Sequence, residues 1–573
     1  MLAIFFPFRC MIPRLVYFPD GEPAAKTRWL ALGKTQSQGV LTEMKLLALP
    51  RLISYFLLMA FCSLTVACGG GGMSGTLLPV MAIAATQHPL VAQVSVSSAC
   101  AGQAMVEFGP DTSYGRTTAW YPISGSYQKL VILVAGMKAS TPYHMRTQVQ
   151  CVDATLSSAD ATFTTGPLPP TPLPALRVTR PSPSTSSPEN PGIEQIDVIA
   201  GSPTPLIGTV FTDRDANPIW YYDSGPGTYA YPYKLLSNGH ILLNIFEPEN
   251  TVLREVDLAG NTIREMDIYT LQKKLQNAAF GFLPGGFHHD ILPLPNGHLI
   301  ALVDCSKSFT DLPGYPGTIA VQGDAIVDLD PDWNPVWAWN SFDYLDVNRH
   351  LNGLPDWTHS NALVYSPDDG NILISMRHQS WILKIDYNNG AGTGRVLWRL
   401  GYQGDFALTQ SGAPTDDPSL WFSFQHFPSL ISQSGPQTTL AIWDNGDSRP
   451  LNTNGEVCVN PLTGNLAYPV CFSRATIFQV DESAMVANLD WDNLPGYFSQ
   501  WGGSINQLGN GNVEFDMNAP VIPPSANVAS EVQEVTQGST PQVVWKMDIT
   551  PATSTAYRAY RVPSLYPGVV WPY

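Results

Sequence analysis

Seven side chains carry nucleophilic, proton-transferring or anion-holding chemistry: His288, His289, His359, Asn361, Arg377, His378 and His426. They sit in Phe287-His288-His289-Asp290, Trp357-Thr358-His359-Ser360-Asn361, Met376-Arg377-His378 and Phe424-Gln425-His426-Phe427-Pro428. A neutral imidazole can attack an electrophile or pass a proton near neutral pH. A guanidinium holds an oxyanion through a planar fork of donors. Histidine clusters also ligate zinc. Here Arg377 opposes a cation and no carboxylate is expected on the shared face, so no metal is expected.

The stretch Trp357–Trp381 must position half of these groups, and it reads as one β-hairpin. Ala362, Val364 and Ser366 alternate with Leu363 and Tyr365, Asp369-Gly370 is a turn signal, and Ile372-Leu373-Ile374 begins the return strand. The hairpin recurs. Asn238-Gly239, Asn296-Gly297 and Asp369-Gly370 sit between apolar runs, with Gly239, Gly297, Gly370 and Gly435 spaced by 58, 73 and 65 residues. A second recurring unit is a polar turn leading into a strand that ends on Trp, at Trp220, Trp337, Trp398 and Trp545. Variable-length β units of this kind predict a six-bladed β-propeller over residues 190–573, with a further strand in Tyr560–Pro567. His288, Asn361 and His426 each lie nine residues before a turn glycine, and His359 lies eleven before. Odd offsets share a strand face, so these residues are expected together at the rim of a central channel. His289 is expected to point away, unless a bulge near the site reverses the face. Asp328–Asn334 imitates a calcium loop but lacks the later Gly and Glu, so a hairpin turn is expected.

The remainder of the chain frames that region. Residues 1–67 hold an upstream extension and a lipoprotein-type signal. Translation is expected to start at Met44, followed by Lys45 and Arg51, a short apolar run and the small residues before Cys68, the expected lipidation site. Residues 78–166 read as a small fibronectin-III-like β-sandwich. Its Tyr143 is expected to bond back to upstream backbone, and Cys100 and Cys151 are expected to bridge in an oxidising compartment. Residues 167–189 are Pro/Ser-rich and read as an extended linker. The formal net charge of −17 argues against nucleic acid as a partner. No GxxxxGK[ST] phosphate loop occurs, and no cofactor is expected.

WTHSNALVYSP…GNILISMRHQ, FHHDILPLPNGH, FQHFPSL…IWDNGDSRP, CFSRATIFQVDE and VVWKMDI…YRAYRVPSLYPG together resemble the bacterial arylsulfate sulfotransferase family. The resemblance implies ping-pong transfer of a sulfuryl group from a phenolic sulfate to a phenol through a sulfohistidine, without the nucleotide sulfate donor. It implies His426 as nucleophile and His359 as acid/base. Arg377, Asn361 and His288 (or His289) would hold the sulfuryl oxygens, and Trp357 would line the substrate site. Trp381, Phe424, Phe427 and Trp443 also suit a planar substrate. A Cys458–Cys471 disulfide follows from the family's loop, leaving Cys305 free. A homodimer is allowed. The setting is the periplasm, with the membrane reached only through a lipid on Cys68, at the outer membrane. The chain departs from the family where Phe427-Pro428 follow His426, since the family more often has an acidic residue there.

Two other classes compete. One is a non-catalytic surface lipoprotein whose propeller binds carbohydrate or protein. The other is a metal- or cofactor-using propeller enzyme. Phenol-dependent turnover of 4-nitrophenyl sulfate separates the first reading from both.

Overall fold

Tight turns between β-branched runs give this chain its hairpins. At Leu236–His240 the Leu236 N–H donates to the His240 carbonyl at 2.8 Å, and the left-handed backbone of Gly239 (φ 83°) closes the turn. The calcium-like loop is such a turn: the Asp330 carboxylate accepts from the backbone N–H of Asp332 and Asn334. Its oxygens cap their own loop.

The computed structural model describes residues 78–181, 188–200, 206–460, 465–466, 471–519, 528–550 and 554–572. The signal segment and Cys68 lie outside the described residues. Among the described residues no helix is long and apolar enough to cross a membrane. The protein is all-β with short helices such as Ile268–Asn277.

Two sheets form the amino-terminal part. One pairs Val80–Ala85, Ala92–Ser97 and Leu130–Val134; the other is built on Gly102–Gly109 and Pro142–Gln150. Burial alternates strictly along Ala92–Ser97, as a strand with one face on a core requires. The Tyr143 hydroxyl accepts from Lys138 N–H at 2.9 Å, the backward bond expected from the sequence. Cys100 and Cys151 are bridged. The chain's end returns to this part: the Trp571 indole donates to Thr117 O, and the Tyr566 hydroxyl accepts from Ala135 N–H.

A two-stranded sheet pairs Val459–Asn460 with Asn465–Leu466, and six larger sheets of four to six strands make up the rest of the described sheets. Each of the six has an edge strand that touches the edge strand of the next: Tyr229–Leu235, Pro284–Pro293, Ser360–Ser366, His426–Ser434, Ser504–Gln507 and Ser554–Val562. The last of these pairs with Ile193–Ala200, joining the chain's end to the start of the region. It begins before the strand expected in Tyr560–Pro567. Arg561 secures the join, with Glu194 at 2.5 Å, Glu514 at 3.2 Å and Glu534 in contact, all buried. Burial and the neighbouring Glu194 hold the Glu514 carboxyl well above its usual range.

Three of the four recurrent strand-ending Trp share a structural reason, while Trp398 Nε1 has no partner among the described residues. The Trp220 indole donates to Leu258 O, Trp337 to Gly392 O and Trp545 to Arg214 O. Each bond reaches from one sheet to a turn of the following one, so buried area and a net ~1 kcal/mol hydrogen bond act together.

Within the segment 167–189, read from its proline content as an extended linker, Ala175–Thr179 pairs antiparallel with Val543–Thr550. Its prolines flank this strand rather than occupy it, so every ladder donor is kept.

Candidate active site

Three neighbouring edge strands break register where the candidate residues sit. The irregularities fall between Phe287 and Ile291, between Ser360 and Ala362, and between His426 and Ser429. His289, His359, Phe424 and Phe427 take left-handed backbone, with φ of 49°, 48°, 52° and 43°. Non-glycine residues adopt this conformation at a cost of roughly 1–3 kcal/mol each, and such strain concentrates where side chains must be re-aimed.

The result is a chain of rings. His426 lies 6.1 Å from Tyr557, Tyr557 5.7 Å from His289, His289 4.8 Å from His359, and His359 4.6 Å from His378, centroid to centroid. Arg377 closes it, its Nη1 donating to His378 Nε2 at 2.6 Å.

His426 is buried, and its protonation pattern follows from its partners. Asn445 Nδ2 donates to the carbonyls of Ser499 (2.8 Å) and Gly502 (3.1 Å), which fixes the amide's orientation. Oδ1 therefore faces His426 Nδ1 at 2.7 Å and accepts its proton. Nε2 keeps a lone pair, which accepts from Gly502 N–H at 3.2 Å. Burial, then the Arg377 charge, holds the imidazole pKa well below its usual value. The ring is a neutral nucleophile with one defined attacking nitrogen.

Arg377 is aimed from behind. Its Nη2 donates to Asp447 Oδ2 at 2.9 Å and to Gln500 O at 3.0 Å, while Nε has no partner among the described residues. Burial pushes the Asp447 carboxyl up to about 7 against the pull of Arg377. His378 donates from Nδ1 to Asp356 O at 2.9 Å, and burial holds its pKa down to about 3. His359 Nδ1 meets Asp356 Oδ2 at 2.7 Å.

Candidate ligand atoms of Asp356, His359 and His378 lie within 4.8 Å of one another, the spacing of a metal site. The hydrogen bonding speaks against a cation. Arg377 occupies His378 Nε2, so His378 Nδ1 carries the proton, and a guanidinium stands directly behind the ring.

His288 and His289 exchange the roles expected from offset counting. His289 packs against His359 and Tyr557, whereas His288 Nε2 lies 3.1 Å from Asp324 Oδ1 and its Nδ1 meets His289 Nδ1 at 2.8 Å. The bulge and the left-handed turn at His289 swap the two faces. Against burial, Asp324 raises the His288 pKa. Burial first, then His359 and His288, holds that of His289 far below its usual value. Asn361 Nδ2 donates one of its two hydrogens to Gln425 O at 2.7 Å, bracing the residue before His426. Trp357 is 1% exposed, stacks on Phe342 and donates to Arg349 O, so it packs in the core. Trp443 is likewise buried, stacked on Phe515.

Several partners escaped sequence reading. Asn445 and Asp447 belong to the Asp-Asn-Gly-Asp run, whose place in the family resemblance was the only signal. Asp356 lies in an irregular loop with no periodicity. The buried Tyr557 hydroxyl lies beside Arg558, and its proton has no acceptor among the described residues. Its neighbour Arg558 ion-pairs with Asp290 at 3.1 Å and donates to His289 O at 3.0 Å.

A family model described as arylsulfotransferase (ASST) matches residues 205–561. No curated protein matches the chain. Among solved structures it is similar to a protein of unknown function from Bacteroides caccae: 9% identity, 69% of this chain and 94% of that one, TM-score 0.28. It is also similar to a rhamnogalacturonan lyase from Bacillus licheniformis: 10% identity, 86% and 92% coverage, TM-score 0.26.

Proposed function

Because the chain belongs to the arylsulfotransferase family, we propose that it moves a sulfuryl group from a phenolic sulfate ester to a phenol through a sulfohistidine on His426. The observation that carries this reading is the Asn445–His426 bond of 2.7 Å, which leaves Nε2 as the one basic nitrogen of a buried neutral ring. In the first half-reaction Nε2 attacks sulfur. The S–O bond to the aryl group breaks, and its electron pair leaves on the phenolate oxygen, which takes a proton from His359 Nε2. In the second half-reaction the acceptor phenol oxygen attacks sulfur. The S–N pair returns to His426, and the phenol proton passes to His359. Arg377 holds the developing charge on the sulfuryl oxygens, with unused donor capacity on Nε. Gly502 N–H, released from Nε2 as the bond to sulfur forms, is a further donor to those oxygens. Neither half requires a nucleotide sulfate donor.

The same proposal reads the six edge-to-edge sheets as blades of a propeller, with these residues at one mouth of its axis, and the amino-terminal pair of sheets as fibronectin-III-like. It places the mature protein outside the cytoplasm, a setting in which the two disulfides persist, held there by a lipid on Cys68.

Purified mature protein should release 4-nitrophenol from 4-nitrophenyl sulfate faster when phenol is added, with phenyl sulfate as co-product. His426→Ala should abolish both. Absence of phenol acceleration in the wild type would defeat the transferase reading and favour a binding lipoprotein.

A further inference from the structure

We propose that Asp356 is the positioning residue of His359, fixing its Nδ1 proton so that Nε2 alone exchanges protons with the phenolic oxygens. The inference rests on the sulfuryl-transfer reading above and deepens it.

The loop that carries Asp356 is held from three sides. Gln322 N–H donates to Pro355 O and Trp357 N–H to Gln322 O, at 2.8 and 2.9 Å. Asp324 Oδ2 accepts from the Thr358 hydroxyl and from Ser360 N–H, at 2.5 and 2.6 Å. The buried His378 donates to Asp356 O at 2.9 Å and is itself held by Arg377. Asp356 Oδ2 is thus presented to His359 Nδ1 by a braced backbone.

An exposed His–Asp pair on mobile side chains is worth little. Here the Asp356 side chain is 40% exposed but its backbone is braced, while His359 is 22% exposed with its ring confined between His289 and His378 and its backbone left-handed. That geometry has a chemical consequence. With Nδ1–H given to a carboxylate, Nε2 is the free nitrogen, and the carboxylate stabilises the imidazolium that forms when Nε2 takes a proton. Proton donation matters most when the departing phenolate is a strong base and least when it leaves readily as 4-nitrophenolate. Asp356 should therefore matter in proportion to the basicity of the leaving group.

The test compares full-length mature wild type with Asp356→Asn, using phenyl sulfate and 4-nitrophenyl sulfate with one acceptor. For the variant, kcat/KM is expected to fall about 100-fold with phenyl sulfate but only about threefold with 4-nitrophenyl sulfate. Asp356→Glu should restore part of the loss. In a His359→Ala background, adding Asp356→Asn should cost nothing further, because the carboxylate acts only through the imidazole. Equal losses for both donors, no loss for either, or losses that add in the double variant would each overturn the proposal. A wild type lacking phenol-dependent transfer would instead strike the transferase reading.

Discussion

Asn445 and Asp447 stand two residues apart on one loop and hold opposite halves of the site. Asn445 Oδ1 accepts from His426 Nδ1 at 2.7 Å, and Asp447 Oδ2 accepts from Arg377 Nη2 at 2.9 Å. A single turn thereby sets both the nucleophile's tautomer and the anion holder's direction. Asn445 also fills the role left open by Phe427-Pro428, since the orienting group need not follow His426 in sequence.

Asn445→Asp tests why the orienting group is an amide. A carboxylate at this position would favour the imidazolium and raise the His426 pKa toward neutrality, protonating the attacking Nε2. The variant should show an acid limb in its pH–rate profile within pH 5–8, with activity rising as pH rises, whereas the wild type is flat there with respect to His426. Asn445→Ala should lower kcat by about 100-fold or more at every pH by freeing the tautomer. A wild-type pH profile retained in Asn445→Asp would show that the amide does not tune the ring.

Asp197 predicts a pH-dependent stability unrelated to catalysis. Neither of its carboxylate oxygens has a hydrogen-bond partner among the described residues, and burial pushes its pKa from 3.8 to about 8. The folded state binds this proton more tightly than the unfolded chain. The group's contribution is therefore fully present below about pH 4 and is lost as pH rises toward 8. Asp197→Asn should narrow the drop in Tm between pH 5 and pH 8 by roughly 3 °C or more. Thermal unfolding at the two pH values checks this, and an unchanged drop would place the proton elsewhere.

The Cys458–Cys471 bridge closes a loop with a sequence separation of 13, and it follows the Asp-Asn-Gly-Asp turn. Chain-entropy arguments give a loop of that size about 3 kcal/mol. Iodoacetamide without reductant should leave both cysteines unlabelled. Cys458→Ser/Cys471→Ser should lower Tm by several degrees and loosen the loop carrying Asn445 and Asp447, reducing kcat more than KM. Labelling of both native cysteines would show that the bridge does not form in solution.

What was legible in the sequence was local. The Asp369-Gly370 turn forms, and Leu363 pairs with Ile374 as the alternation implied. The Tyr143 bond and the Asp330 turn likewise depend on a few neighbouring residues. What was not legible is geometry that spacing does not encode. A residue count assumes an unbroken strand, and the bulge beside His289 breaks it. Asp356, Asn445 and Asp447 act across loops, so no periodicity marks them. Ala175–Thr179 pairs with a strand more than 360 residues away, which proline density around it concealed.

Tyr557→Phe separates catalysis from stability at one atom. The buried Tyr557 hydroxyl can accept from Arg558, but its own proton has no acceptor among the described residues, and its ring lies against both His426 and His289. Native structures rarely retain a buried donor without use. Burial holds this phenol far above its usual pKa, so it remains a donor at every working pH. Its natural acceptor is a sulfuryl or phenolic oxygen placed between the two histidines, where charge grows in the transition state. Removing the hydroxyl deletes only its contact with Arg558, so Tm should change little. In contrast, kcat should fall about 10- to 100-fold with KM little changed. A loss of Tm without a loss of kcat would make Tyr557 a packing residue only.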